Sequence, residues 1–367
     1  MQDLGEATGA LIALFGREGY ARLEPPILQP ADVFLDLSGE DIRRRMFVTQ
    51  DASGAELCLR PEYTIPVCRH HLASRGTEPA AYAYCGPVFR LRAGETGEFL
   101  QAGIESIGRS DVTAADAEIL AIALEALESA GAGRVEVRLG DMGLLDAVIE
   151  ALRLPATAKR RVMRAVVSGR GLAGLAGSEN GSAPEHAGLL AALEGQAPQA
   201  ARAFVEDVLS IAGITTVGGR SAGEIAERFL ERAANRSGLV PEEARDVLGR
   251  YLTIAGDPDA AAVAARALAR DAGLDLEPAL AAFEERVGFM AARGLEVGAF
   301  VFRADFARNL DYYTGFIFEA HAPAGERPLA GGGRYDRLLQ HLGAPGPTPA
   351  VGCAFWPDRI PGAEAGR

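Results

Sequence analysis

Short β-like apolar runs at both ends of the chain flank one long stretch with helical periodicity, and this order constrains the fold strongly. Residues 1–153 mix strand-like runs with helices, whereas residues 154–296 are rich in Ala, Leu, Glu and Arg and carry few strand signals. Residues 297–367 return to strand-like runs and Gly-rich turns. Consecutive antiparallel strands with helices alongside predict an α+β fold that is interrupted by a helical insertion domain at 154–296.

Local signals predict the individual elements. Apolar residues at helical spacing predict a first helix over 4–15, and Asp51–Gly54 predicts a hairpin turn between strands at 46–49 and 56–59. Pro66 suits the first turn of a helix over 64–73. Further helices are expected over 114–130, 221–234, 242–252, 259–272, 277–293 and 335–342, further strands over 80–91, 98–107, 135–139, 299–303, 316–320 and 350–355, and a turn at Gly331–Gly333.

The composition argues against several classes of function. The chain has 37 Lys and Arg against 50 Asp and Glu, a net charge of −13, whereas a broad nucleic-acid surface needs clustered Lys and Arg. The 4 Cys and 5 His show no metal-ligand spacing. Lys159 is the only lysine and follows no Gly-rich turn, which argues against a Schiff base or a phosphate loop. We therefore expect no metal and no cofactor.

The N-terminal sequence and the apolar runs indicate where the protein resides. Residues 1–6 lack the basic and apolar regions of a signal peptide. No uninterrupted apolar run reaches the roughly 20 residues that a membrane helix needs. We expect a cytoplasmic protein with no membrane partner.

The segment Leu59–Thr64 places a carboxylate and a hydroxyl where a strand ends and a helix begins. One interpretation is an ordinary helix N-terminus, with Thr64 as the cap and Glu62 in solvent. The other interpretation is that both side chains face a ligand. This segment alone does not decide between the two.

The strand over 98–107 carries polar residues on one face. Alternation along the strand puts Gln101, Gly103 and Glu105 on the same side, together with Phe99. Such a face is either a hollow lined by polar groups or simply the solvent side of an antiparallel sheet.

Two later segments have the composition of binding loops. Arg308–Gly315 is a charged, aromatic loop that leads into an apolar strand, although tyrosine pairs often serve packing alone. Gly331–Asp336 contains three glycines that let a backbone approach a ligand closely, but no Lys-Ser/Thr follows, so it is not a phosphate loop.

Together these segments resemble the catalytic core of class II aminoacyl-tRNA synthetases, and most closely that of histidyl-tRNA synthetase. The resembling segments are Glu24–Ile27 for the dimer-forming first motif, Leu59–Thr64 for LRPE-x-T, Arg308–Glu319 for R-x-LDYYTG-x-x-FE, Gly331–Leu338 for GGGRYD-x-L, and Ala350–Arg359 for AVG…R. The resemblance spans nearly the whole chain, and it implies the class II antiparallel sheet flanked by helices.

The resemblance also implies a pocket for L-histidine. The residues expected at the ligand are Glu62, Thr64, Arg90, Gln101, Glu105, Arg308, Tyr312 and Tyr313. By the family pattern, Glu62, Thr64 and Gln101 hold the α-amino group of the ligand. This assignment agrees with chemistry, because an ammonium needs carboxylate and carbonyl acceptors.

The same pattern assigns the rest of the ligand. Arg308 would face the carboxylate, and Glu105 and Tyr313 would face the imidazole, which carries one N–H donor and one nitrogen acceptor. A site built from such groups rejects analogues that lack them, because buried partners would be left unpaired.

The nucleotide side departs from the family pattern. Arg92 stands where the family motif FR-x-E has Glu, and the loop that follows is short and lacks a further arginine of the family. Trp356 replaces a family glycine that gives the nucleotide room. The arginines at Arg90 and Arg359 are kept. The lost charge-assisted hydrogen bond is worth ~1.5–3 kcal/mol, and a Trp brings on the order of 200 Å² of side chain into the slot. We expect no catalytic residue.

The chain ends at Arg367, where a synthetase continues into an anticodon-binding domain, so we also expect no tRNA partner.

A histidine pocket beside a damaged nucleotide site resembles the family of ATP phosphoribosyltransferase regulatory subunits. These synthetase-like paralogues activate a short catalytic transferase in the first step of histidine biosynthesis and confer feedback inhibition by histidine. The resemblance implies a non-catalytic subunit that forms a homodimer within a hetero-octamer with short-form ATP phosphoribosyltransferase. Two alternatives stay open: a truncated histidyl-tRNA synthetase-like enzyme that forms an aminoacyl-adenylate, and a synthetase-like scaffold without a ligand.

Overall fold

The computed structural model describes residues 4–37, 44–91, 94, 96–167, 169, 172, 216–217, 220–221, 240–307, 312–323 and 325–360. The helices in these ranges are α1 (Leu4–Arg17), α2 (Ala31–Leu37), α3 (Thr64–Arg75), α4 (Val112–Ser129), α5 (Met142–Ala151), α6 (Ala156–Val167), α7 (Glu242–Leu252), α8 (Pro258–Ala272), α9 (Glu277–Ala292) and α10 (Leu338–His341). The strands are β1 (Ala21–Arg22), β2 (Leu28–Pro30), β3 (Val48–Gln50), β4 (Glu56–Leu59), β5 (Ala80–Phe89), β6 (Glu98–Ile107), β7 (Glu136–Asp141), β8 (Thr216–Val217), β9 (Arg220–Ser221), β10 (Ala255–Gly256), β11 (Val301–Arg303), β12 (Phe316–His321), β13 (Pro328–Arg334) and β14 (Ala350–Phe355). Two short 3₁₀ helices lie at Val297–Ala299 and Pro357–Arg359.

A large sheet forms the framework of the described residues. Its nine strands run in the order β1-β5-β6-β14-β13-β12-β7-β11-β10. The six central strands, from β5 to β7, pair antiparallel throughout, and β1 and β11 join them by parallel pairing. A second, three-stranded sheet has the order β2-β4-β3. This architecture confirms the expected α+β class with a mostly antiparallel sheet flanked by helices.

Helix α1 shows how one face of the large sheet is covered. Its buried residues, Ala7, Leu11, Leu14 and Phe15, recur at the spacing of a single helical face. The ring of Phe15 lies 5.4 Å from that of Phe355 in β14. Phe355 pairs with Ala102 in β6, so the side chain of Ala102 lies on the face that α1 covers. Because side chains alternate along a strand, the neighbouring odd-numbered residues of β6 point to the other face of the sheet.

The chain divides into two compact units, one of residues 1–151 with 250–367 and the other of residues 152–249. The large sheet belongs to the first unit. Helix α9, which we placed in the insertion, also belongs to it, because its buried residues contact α4 and the sheet. Arg286 of α9 donates to Asp116 Oδ2 at 2.8 Å and to Asp141 Oδ2 at 2.6 Å, and Phe283 lies 5.2 Å from Phe302.

The described part of the second unit contains α6, the β8–β9 pair and most of α7. The helix that we expected over 221–234 lies outside the described residues except for Ser221, which ends β9. Among the described residues, no helix is long and apolar enough to span a membrane.

The turn expected at Gly331–Gly333 is wrong, because these residues form the middle of β13. A Cβ at Gly332 would overlap the carbonyl oxygen of Gly352 in β14, and a Cβ at Gly333 would overlap that of Phe316 in β12. The glycines therefore allow close packing within the sheet. The expected helix over 335–342 is also shorter, since only Leu338–His341 is α-helical.

Candidate functional site

A cavity of about 310 Å³ lies in the first unit, on the face of β6 that carries Gln101 and Glu105. Of the eight residues expected at a ligand, the structure brings seven to the wall of this cavity: Glu62, Thr64, Arg90, Gln101, Glu105, Tyr312 and Tyr313. Arg308, the eighth, lies outside the described residues. The interpretation of the Gln101 face as plain solvent surface is wrong, because Gln101 and Glu105 are 3% and 1% exposed.

Glu105 is the most constrained of these residues. Its strand position pairs with Gly352 of β14, where any Cβ would overlap the Glu105 carboxylate. Thr64 Oγ1 donates to Glu105 Oε1 at 2.8 Å, Tyr84 donates to the same oxygen at 3.3 Å, and the hydroxyl of Tyr335 donates to Oε2. Burial raises the pKa of Glu105 to about 8, with Glu62 adding to the rise and the three hydroxyls opposing it.

Glu62 caps a helix and lines the cavity at the same time. Its Oε2 accepts from the backbone N–H of Thr64 at 2.7 Å, and its Oε1 accepts from that of Ile65 at 2.8 Å. The first backbone N–H groups of a helix have no acceptor within the helix, so the Glu62 carboxylate supplies the acceptors at the start of α3. The expectation of a solvated Glu62 with Thr64 as the cap is therefore wrong, since Glu62 is buried and is itself the capping side chain. Burial raises its pKa, and the two N–H donors and Arg90 oppose the rise.

Gln101 presents an unsatisfied acceptor. Within the described residues, its side-chain oxygen Oε1 is buried and has no hydrogen-bond partner. Leaving a buried polar group unpaired costs about 1–3 kcal/mol. A cavity-lining acceptor in this state is suited to a donor on a ligand.

Two adjacent tyrosines line the cavity. The rings of Tyr312 and Tyr313 lie 5.1 Å apart, and Tyr312 packs edge-on against Tyr335 at 5.8 Å. Their loop is tied to β13, because the backbone N–H of Thr314 donates to the carbonyl of Arg334 at 2.8 Å. These contacts hold the tyrosines against the cavity.

An internal cation–π pair, Trp356 with Arg359, also lines the cavity. The guanidinium of Arg359 lies 4.4 Å from the centre of the Trp356 ring, and its Nη1 donates to the carbonyl of Pro328 at 2.9 Å. Trp356 is buried, so its indole fills space beside the cavity. Arg90 also interacts within the protein, donating from Nε to the carbonyl of Pro61 at 2.7 Å. Arg92 lies outside the described residues.

Sequence reasoning missed Tyr84 and Tyr335 as partners of Glu105. Tyr335 lies within the Gly331–Leu338 segment, so its motif was visible but its role was not. Tyr84 pairs with Gly103 across the β5–β6 hairpin, and a Cβ at Gly103 would overlap the Tyr84 hydroxyl. A glycine opposite a tyrosine, two residues before Glu105, was the available signal. No group of three or more His, Cys, Asp or Glu among the described residues could hold a metal ion.

The mostly antiparallel sheet and a polar cavity on one face of its central strands define a protein of the class II aminoacyl-tRNA synthetase type. The sequence model of the family described as Histidyl-tRNA synthetase matches residues 2–214 and 223–360. The chain belongs, within this type, to the family of ATP phosphoribosyltransferase regulatory subunits, since it is 42% identical over 347 residues to the protein of that name from Brucella anthropi, covering 92% of each chain. The Brucella canis protein of the same name is also 42% identical, over 346 residues.

Solved structures show the same fold. A Bacillus halodurans protein described as an ATP phosphoribosyltransferase regulatory subunit/histidyl-tRNA synthetase superposes with a TM-score of 0.68 at 21% identity, covering 97% of this chain and 77% of that chain. Histidyl-tRNA synthetase from Nostoc sp. PCC 7120 superposes with a TM-score of 0.63 at 18% identity, covering 96% and 69%. At these identities the likeness concerns the fold alone.

Proposed function

We propose that this protein is a non-catalytic regulatory subunit that binds L-histidine in the cavity around Glu105. Bound histidine would inhibit a short-form ATP phosphoribosyltransferase catalytic subunit, which the protein otherwise activates in the first step of histidine biosynthesis. The observation that carries the proposal is the unpartnered, buried Gln101 oxygen on the same wall as Glu62 and Glu105.

The acceptors on this wall suit the amino group of an amino acid. Thr64 donates its single hydroxyl proton to Glu105, so Thr64 offers a ligand only lone pairs. Glu62 and Gln101 add a carboxylate and a carbonyl oxygen. An ammonium group carries three donors and would satisfy the Gln101 oxygen at the same time.

The size of the cavity supports one small ligand. About 310 Å³ lies at the low end of the roughly 300–1,000 Å³ that ligand pockets occupy. Trp356 and Arg359 stack on each other in the lining of the cavity, and Arg359 also donates to the Pro328 carbonyl. This arrangement leaves room for an amino acid and opposes a bent nucleoside triphosphate beside it.

The partners follow from the relatives. Proteins named regulatory subunits imply a catalytic ATP phosphoribosyltransferase as partner. We propose that the assembly is a hetero-octamer with the short-form catalytic subunit, in which this protein is a homodimer. Histidine can then regulate the partner only by binding one state of the assembly more tightly than another.

A second function is favoured by the match to the Histidyl-tRNA synthetase family over most of the chain. In that case the protein would form an aminoacyl-adenylate from histidine and ATP. Pyrophosphate exchange that depends on both substrates tests this alternative directly. Detectable exchange would reject the non-catalytic proposal.

The test of the main proposal reconstitutes the assembly. Purified short-form transferase is assayed for phosphoribosyl transfer alone, with this protein, and with this protein plus L-histidine. Activation that histidine reverses supports the proposal, and an unchanged rate in all three samples rejects it. Calorimetry with L-histidine and the isolated protein separates a ligand-binding subunit from a ligand-free scaffold.

A further inference from the structure

We propose that a buried ion network outside the cavity, made of Arg286, Asp116 and Arg334, positions the two tyrosines of the cavity wall. The lining of the cavity, within the described part of the chain, includes none of these three side chains. They are positioning residues, which act on a ligand only through Tyr312 and Tyr313. Their effect on histidine binding rests on the proposed function, whereas their effect on the tyrosines does not.

One aspartate joins the two arginines. Asp116 of α4 is fully buried, and each of its oxygens accepts from a different arginine. Arg286 Nε donates to Oδ2 at 2.8 Å, and Arg334 Nε donates to Oδ1 at 2.8 Å. Arg286 Nη1 also donates to Asp141 Oδ2 at 2.6 Å. The network therefore connects α9, α4, β7 and β13 through buried charges.

The first anchor of the tyrosine segment, residues 312–315, lies at Arg334. The Arg334 carbonyl accepts from the backbone N–H of Thr314, directly after the tyrosines, at 2.8 Å. Thr314 Oγ1 accepts from the backbone N–H of Asp336 at 3.0 Å. The Asp336 carboxylate accepts from Arg334 Nη1 at 2.7 Å and from the backbone N–H of Ala350 at 2.9 Å. Arg334 thus holds Thr314 with its backbone and Asp336 with its side chain.

The second anchor lies one residue further along the chain, at Gly315. The Gly315 carbonyl accepts from the backbone N–H of Met142 at 2.9 Å. Met142 begins α5 and directly follows Asp141, which binds Arg286. The Arg286 guanidinium also lies 5.4 Å from the centre of the ring of Phe316, the residue after Gly315. Arg286 therefore contacts both sides of the second anchor.

The two anchors depend on each other through Arg286. It binds Asp141 beside the second anchor and, through Asp116, the arginine of the first. Without Arg286, Asp141 loses its ion-pair partner and Asp116 keeps only one arginine. A buried charge that loses its partner shifts or takes up water. The segment that carries Tyr312 and Tyr313 then gains freedom, and ordering it again on ligand binding lowers the affinity.

Hydrogen exchange in the ligand-free protein tests the positioning directly. Mass spectrometry follows the peptides that contain the amides of Thr314 and Met142, whose hydrogen bonds form the two anchors. The variant is Arg286→Gln, and the matched control is Leu127→Ala, which removes a fully buried side chain at the other end of α4. We expect exchange of both amides to be about tenfold faster in Arg286→Gln and within about twofold of normal in Leu127→Ala.

Calorimetry with L-histidine measures what the positioning contributes to binding. Arg286→Gln should bind histidine about tenfold more weakly, whereas Leu127→Ala should stay within about twofold of the unmodified protein. If Arg286→Gln does not fold, Arg286→Lys replaces it in both experiments. Lysine keeps the charge but lacks the planar fork that reaches both aspartates, so both effects should keep their direction and be smaller.

Three results would overturn the inference. The first is normal exchange of both anchor amides in the Arg286 variant that folds. The second is equal acceleration in Leu127→Ala, as general destabilisation would produce. The third is normal histidine affinity despite faster exchange. If the unmodified protein does not bind histidine, the proposed function is rejected, and the exchange experiment alone decides whether the network positions the tyrosines.

Discussion

Histidine binding should release a proton from Glu105, and the affinity should therefore rise with pH. Burial raises the pKa of Glu105 to about 8, and the negative charge of Glu62 adds to the rise. Hydrogen bonds from Tyr335, Thr64 and Tyr84 oppose it. At pH 7 the protonated form thus exceeds the ionised form by about 10:1. An incoming ammonium and ring N–H favour the ionised form, so binding expels the proton.

The magnitude follows from the population of the ionised form. Each pH unit below the pKa costs about 1.4 kcal/mol of binding free energy, a factor of ten in affinity. Between pH 6.5 and pH 8 the ionised fraction grows about 16-fold, so the affinity should rise by roughly 10–20-fold. The titration of the ligand imidazole near pH 6.5 changes this by about twofold at most.

The same pKa fixes how the stability of the empty protein depends on pH. The folded-state pKa of Glu105 lies above the unfolded value, so the folded state binds more protons between about pH 4.5 and pH 8. This group therefore makes the empty protein less stable as the pH rises through that range. Bound histidine should remove much of this loss.

Calorimetry in two buffers of different ionisation enthalpy measures the proton directly. We expect release of about 0.9 proton per histidine at pH 7 and about 0.5 at pH 8. Glu105→Gln should bind more weakly and should release only the roughly 0.2 proton that the ligand imidazole loses at pH 7. An affinity independent of pH between 6.5 and 8, or no proton release at pH 7, would refute the assignment of Glu105 as a neutral group in the empty cavity.

Three substitutions test other parts of the account. Gly352→Ala should reduce histidine affinity by about tenfold or more in calorimetry, because the new Cβ overlaps the Glu105 carboxylate. Gln101→Met should stabilise the empty protein in denaturant unfolding and weaken histidine binding, since it removes a buried acceptor that costs about 1–3 kcal/mol unpaired. Arg286→Ala should lower the free energy of unfolding by about 3–5 kcal/mol, because buried Asp141 loses its ion-pair partner and buried Asp116 keeps only Arg334.

Two controls match these variants. Gly288→Ala adds the same Cβ where no atom lies within 4 Å and should leave histidine binding unchanged. Arg266→Ala breaks an exposed ion pair with Glu284 and should leave the free energy of unfolding nearly unchanged, because solvent screens such pairs. Normal histidine affinity in Gly352→Ala would contradict the close packing of Gly352 on Glu105. Unimpaired histidine binding in Gln101→Met would contradict a role of Gln101 at the ligand. The buried ion pairs of Arg286 would be contradicted if Arg286→Ala were no less stable than Arg266→Ala.

Local sequence signals predicted much of the fold because they act over a few residues. The Asp51–Gly54 turn is closed by its own side chain, since Asp51 Oδ1 accepts from the N–H groups of Ser53 and Ala55. The helix that starts at Thr64 and the ten-residue strands β5 and β6 likewise follow from nearby residues. Such elements depend little on the rest of the chain.

The glycines of β13 were misread because their reason is distant in sequence. Their small size serves the approach of β14 and β12, and a local pattern cannot distinguish that from a turn. The place of α9 in the same compact unit as the large sheet also depends on distant contacts. The contacts of Arg286 with Asp116 and Asp141 join residues 170 and 145 positions apart.

Seven residues that line the cavity were named from the sequence, but their hydrogen bonds were not. Strand alternation placed Gln101 and Glu105 on one face without any structure. The partnership of Glu105 with Tyr335 joins two residues 230 positions apart and depends on the register of β6, β14 and β13. The double role of Glu62 depends on which way one side chain turns at a helix start.

Phosphoribosyl transfer by the reconstituted assembly tests the central claim most directly. The short-form transferase is assayed with the unmodified protein and with Glu105→Gln, each with and without L-histidine. We predict that both proteins activate the transferase and that histidine inhibits the assembly with the unmodified protein at a much lower concentration. Equal inhibition of the two assemblies would contradict a regulatory histidine site in this cavity, and a failure to activate would contradict the proposed partnership.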